Sequence, residues 1–175
     1  MDKRDYAIIG LLLVIIAILL YGVINAYNDS QPEVFEFSDY LVTAPAGTHY
    51  HGLDKEISFY LHENEAMPFF SVLKNDSYNI NDFDIIYNSL KNGSVSKSDM
   101  INLFSGFGDD VAILDVNVGD FKGEPEMSIL IQNPNNSSQK YLAHLIKHNN
   151  DKVFIVIAEM DNEDAKQTYN SLILK

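Results

Sequence analysis

Cysteine and tryptophan are absent from this 175-residue chain, and Lys and Arg together number 12 against 25 acidic residues. Without cysteine no disulfide can staple the fold and no thioether can carry a lipid, so stability has to come from an ordinary apolar core. Cations are also missing from one particular stretch: after Lys3 and Arg4 none occurs until Lys55. The formal charge of −13 speaks against a surface for nucleic acid or for anionic lipid headgroups, so no nucleic-acid partner is expected. Asp2 and Asp5 cancel Lys3 and Arg4, which assigns all of that charge to the chain beyond its first apolar run.

That run, Tyr6 to Ile24, holds nineteen residues without a charge, thirteen of them Leu, Ile or Val. A helix rising about 1.5 Å per residue crosses a hydrocarbon core of roughly 30 Å in about twenty residues, so the run has the length of a membrane span. Basic residues resist translocation, and their placement ahead of the run predicts a cytoplasmic N-terminus with everything after the run outside the cell membrane. Tyr21 and Tyr27 stand where an outer interfacial belt would be. A cleaved secretory signal is the rival, but the run is long for one and Gly22 to Ala26 makes a poor cleavage site. Gly10 and Gly22 lie twelve apart and make no small-xxx-small dimer motif. The expected organisation is a cytoplasmic tip and uncleaved signal anchor over 1–27, a short polar linker over 28–34, and one extracytoplasmic α+β domain over 35–175.

Within that domain, Phe35 to Ala44 reads as a strand stopped by Pro45 and Gly47, and Glu56 to Leu61 with Met67 to Lys74 as a hairpin. Phe83, Ile86, Tyr87 and Leu90 fall on one helical stripe behind Asn81 as N-cap, and Asn92-Gly93-Ser94 closes that helix. Ser96 and Asp99 are spaced to cap a second helix carrying Met100, Ile101 and Phe104. Alternation then marks strands at Ala112 to Val118 and at Met127 to Ile131, with a third over Lys140 to Lys147. Val153 to Ala158 is apolar throughout and should be the central strand, covered on both faces. A last helix from about Glu163, with Asp161 as its N-cap, carries Ala165, Tyr169, Leu172 and Ile173 on one stripe. Strands, two helices, four strands and a closing helix predict an antiparallel sheet flanked by helices.

In this layout the chain resembles small membrane-anchored exported proteins of methanogenic archaea with a PsbP-like α/β/α sandwich domain. The features that carry the resemblance are the basic residues before one anchor, the early strand running into Pro-x-Gly in LVTAPAGTHY, the mid-chain helix, and the Tyr-containing strands before a C-terminal amphipathic helix. It covers most of residues 33–175. The resemblance implies that fold and brings no catalytic residues.

Candidate chemistry is sparse. His49 and His51 fall on one side of an extended segment and could begin a zinc or copper site if Asp54 or His62 joined them; without a third ligand they are polar residues of a loop. His144 and His148, four apart on a strand, stand ~13 Å apart and are expected at the surface. Asp109, Asp110, Asp115, Asp120, Glu124 and Glu126 crowd one stretch and suggest calcium more than catalysis, but not at EF-hand spacing. No strained serine motif and no phosphate loop is present, so no enzymatic activity and no cofactor are expected. Five Asn-x-Ser sequons open at Asn28, Asn75, Asn92, Asn135 and Asn136, of which Asn75, Asn92 and Asn136 are the glycosylation candidates.

The expected function is therefore a tethered binding or interaction module for an extracytoplasmic protein or small ligand, with recognition assigned to loops such as Ala46 to Asp54. A pilin-like subunit is the alternative, although Lys-Arg-Asp-Tyr lacks the small residue at which pilin precursors are cut. A metal- or calcium-dependent enzyme is the third.

Overall fold

The computed structural model describes residues 16–23, 27, 30–53, 56–62, 65–75, 80–105, 112–133, 136–149 and 152–175. Residues 16–23 are helical (α1). There follow β1 (Glu33–Glu36), β2 (Tyr40–Ala44), β3 (His49–Leu53), β4 (Glu56–Tyr60), β5 (Phe70–Asn75), α2 (Ile80–Lys91), α3 (Lys97–Ser105), β6 (Ala112–Phe121), β7 (Glu124–Asn133), β8 (Asn136–His148), β9 (Lys152–Glu159), α4 (Glu163–Ser171) and β10 (Ile173–Leu174).

Seven strands form one antiparallel sheet in the order β3-β4-β5-β9-β8-β7-β6, and β1-β2-β10 form a small second sheet. Strand β9 is the middle of the seven, as its unbroken apolar run predicts. Its alternate residues serve two cores. Phe154, Val156 and Ala158 face the small sheet and α4, beside Phe59, Phe70, Val72 and Leu172. Val153, Ile155 and Ile157 face α2, with Phe83, Val116, Met127, Ile129 and Leu145. The expected stripe of α2 is the one that packs, since Ile86, Tyr87 and Leu90 join Phe83 there. α3 begins on the expected reciprocal cap, Asp99 N–H donating to Ser96 Oγ at 3.2 Å and Ser96 N–H to Asp99 Oδ2 at 3.4 Å.

Several expectations need correction. Phe35 to Ala44 is two strands, because the chain turns at 37–39 where Phe37 N–H donates to Tyr40 O at 2.9 Å; Phe35 and Phe37 then cluster with Tyr50 and Phe59. The segment after Gly47 is largely the edge strand β3, paired to β4 from His49↔Tyr60 to Leu53↔Glu56. Proline and glycine hid it from a periodicity reading. β6 and β7 extend into their turn, because Lys122 (φ 52°) and Gly123 (φ 94°) make a two-residue left-handed turn and Asp120 Oδ1 accepts from Gly123 N–H at 2.7 Å. β8 begins at Asn136, four residues ahead of the expected start. α2 begins at Ile80, which puts Asn81 inside the helix, and Asn162 rather than Asp161 caps α4, accepting from Asp164 and Ala165 N–H. Ile173 leaves the helical stripe to pair with Leu41 in β10.

Among the described residues no helix is long and apolar enough to cross a membrane. Most of the expected span, residues 6–15 and 24, lies outside the described residues.

Candidate functional site: the cleft between α4 and the sheet

Glu126 on β7 and His144 on β8 are diagonal neighbours on the face that α4 covers, since Ser128 pairs with His144 and Glu126 with Ile146. His144 Nδ1 meets Glu126 Oε1. From above, α4 lays Tyr169 on the imidazole, ring centroids 4.1 Å apart and nearly parallel, and its hydroxyl donates to the same Glu126 oxygen at 2.9 Å. Three side chains from three elements thus close one polar knot. His144 is 8% exposed.

Burial works to raise the Glu126 carboxyl, but the His144 ring and then the Tyr169 hydroxyl outweigh it and hold the group below the ordinary carboxylate value. The Tyr169 phenol is pushed far up, by burial first and by the Glu126 charge second, so it remains a donor. A carboxylate needs a donor, which assigns the Nδ1 proton to His144 and leaves Nε2 as an acceptor in the neutral ring.

Beside the knot lies a cleft of about 320 Å³ lined by Leu142, His144, Ala158, Met160 and Tyr169, with Glu159, Asp161, Lys166 and Asn170. Its rim charges are already engaged or in water. Glu159 accepts from Gln139 at 2.8 Å and from Asn162 at 3.1 Å, Lys166 pairs with Glu163 at 2.6 Å, and Asp161 is exposed. The arrangement can hold a small molecule against apolar walls with one polar contact; no serine or threonine hydroxyl lines it.

The expected surface histidines are therefore buried. His148 stands four residues further along β8, its Nδ1 3.2 Å from Glu124 Oε1 but outside hydrogen-bonding geometry, and it is also 8% exposed. The strand period kept both histidines on one face; that α4 and β10 would cover that face was not in the periodicity. The signal available was the pair Glu124-x-Glu126 opposite His144-x3-His148.

The acidic stretch disperses. Asp115 bonds Asn117 at 2.8 Å and Lys97 at 3.3 Å, Asp120 closes its turn, and Glu124 and Glu126 face histidines; Asp109 and Asp110 lie outside the described residues. His49 and His51 do share one face of β3, but Asp54 lies outside the described residues, and among those described no three His, Asp or Glu side chains gather to hold a metal. Asn92 and Asn136 are exposed, each side-chain oxygen accepting from the sequon serine hydroxyl, at 2.6 and 2.7 Å; nothing is described of the Asn75 side chain.

A seven-stranded antiparallel sheet with helices on one face and a helix with a small sheet on the other is a PsbP-like α+β fold. Among solved structures, that of the cyanobacterial PsbP protein CyanoP from Synechocystis sp. PCC 6803, determined in solution, is similar over 83% of this chain and 94% of its own, with a TM-score of 0.54 and 12% sequence identity. No family model and no curated protein matches the chain. At that identity the likeness carries the fold, and neither the anchoring nor the archaeal origin that the resemblance implied.

Proposed function

We propose that the chain is a membrane-tethered extracytoplasmic binding module that holds a small ligand in the cleft under α4. The observation that carries this reading is the cleft itself: about 320 Å³, mostly apolar, with a histidine held in one orientation at its floor. Ligand sites are concave, apolar and supplied with a few oriented polar groups, and this volume is at the small end of their range.

The tether rests on the apolar run and on the cations before it. The described part of the run is helical and exposes Ile16, Ile18, Leu19, Leu20, Tyr21 and Val23, an apolar surface that lipid would cover. The acidic surface keeps the domain in solution beside an anionic bilayer, and exposed Asn92 and Asn136 suit glycan acceptors in an exported domain.

Gentle mass spectrometry of the chain extracted from its native membranes tests the proposal. Extraction that needs detergent, an intact N-terminus and a retained noncovalent mass would support it. Release without detergent would remove the tether, and cleavage just after Arg4 would favour the pilin-like subunit instead.

A further inference from the structure

We infer that the cleft takes a small neutral molecule, an alcohol or a phenol, whose single hydroxyl donates to His144 Nε2 while its apolar body lies against Leu142, Ala158 and Met160. This rests on the reading of the cleft as a ligand site and names what the site selects.

The selection follows from which polar atoms are still open. Glu126 Oε1 already receives both His144 Nδ1 and the Tyr169 hydroxyl, and Glu126 lies beneath the cleft rather than in its lining. Glu159 has two donors of its own, and Lys166 has Glu163. Among the described residues Nε2 of His144 has no protein partner, on a side chain that is otherwise nine-tenths buried and lines the cleft. In the neutral tautomer that donates Nδ1–H to Glu126, Nε2 presents a lone pair. An anion would meet that lone pair together with the charges of Glu126, Glu159 and Asp161. A cation would lose hydration in an apolar groove, and the one lining carboxylate to which no side chain donates, Asp161, is exposed at the rim and already hydrated. A neutral donor satisfies Nε2 without carrying a charge inside, and the carboxylate behind the ring strengthens the bond it accepts.

The test uses the full chain in lipid nanodiscs and four probes of one size: 2-phenylethanol, 2-phenylethylammonium, phenylacetate and ethylbenzene. Amide resonances of Leu142, Ala158 and Asn170 report the cleft. The alcohol should produce saturable shifts there at the lowest concentration. His144→Phe keeps a ring on Tyr169 but removes the lone pair, and should weaken the alcohol roughly tenfold while leaving ethylbenzene unchanged. Should that variant misfold, Glu126→Gln retains an acceptor for Nδ1 and should weaken the alcohol about threefold. If phenylacetate or the ammonium binds as tightly as the alcohol, or His144→Phe binds the alcohol unchanged, the assignment is overturned and the cleft remains a ligand site. If none of the four shifts these resonances, the ligand-site reading falls with it.

Discussion

Glu126 is the side chain on which the candidate site depends, because two neighbours direct their donors at one of its oxygens. Glu126→Ala leaves the His144 ring and the Tyr169 hydroxyl partnerless in a buried layer, and should lower unfolding free energy by about 2–4 kcal/mol in urea titration. Tyr169→Phe removes one donor and keeps the stacked ring, so a loss of about 1 kcal/mol is expected from the same measurement. Asp39 poses a different electrostatic case. Lys152 Nζ at 3.0 Å, the Ser38 hydroxyl at 2.8 Å and Lys74 Nζ at 3.1 Å hold its carboxyl down at about 2. A carboxyl whose folded value is depressed contributes stability above its unfolded value near 4, and that contribution is lost as pH falls from there through about 2. The melting temperature of the chain should therefore drop more steeply between pH 5 and pH 2 than that of Asp39→Asn, measured by circular dichroism at roughly these pH limits. Equal slopes would mean that the carboxylate is not held in solution.

Elements here are secured to one another by single long side chains. Lys122, in the turn between β6 and β7, donates to Asn170 O at 2.8 Å and to Leu172 O at 2.7 Å, and so closes the carbonyl end of α4. A cation at that end also complements the helix dipole. Lys122→Met keeps the aliphatic stem and loses both bonds; it should cost about 1–2 kcal/mol and accelerate amide exchange in the last turn of α4. Ser171 performs the matching task on β2, accepting from Thr43 N–H at 2.8 Å and donating to Thr43 O at 3.0 Å. On the opposite face, buried Lys147 reaches both oxygens of Asp84 at 2.7 Å and fastens α2 to β8. Repeating patterns identified these helices and strands because one apolar face has to be buried by each. The turn at 37–39, edge strand β3 and β10 escaped that logic: they are short, and their side chains do not alternate.

In the molecule as a whole, one sheet supplies both cores, with alternate residues of β9 entering each. Neither layer can dissolve without exposing the other face of the same strands, so unfolding should be a single transition. Far-ultraviolet circular dichroism and tyrosine fluorescence should give coincident urea curves, and two separated midpoints would contradict this. Phe154→Ala, at the small-sheet face of that shared strand and fully buried, should cost about 3–5 kcal/mol and shift both signals together.

The amino-acid sequence by itself determined the apolar run, the helices with their stripes, the central strand and the α+β class, because each follows from a local period of hydrophobicity. The cleft was decided by the tertiary structure alone. From Glu126, His144 lies eighteen residues away and Tyr169 forty-three; the Glu-x-Glu and His-x3-His spacings mark the first pairing, but nothing beside either predicts Tyr169 above them. Burial turned a histidine expected at the surface into a side chain fixed on Glu126 under Tyr169, and burial is a property of what packs above a strand. The period of a strand states which residues share a face, but only the path of the whole chain states that α4 covers it.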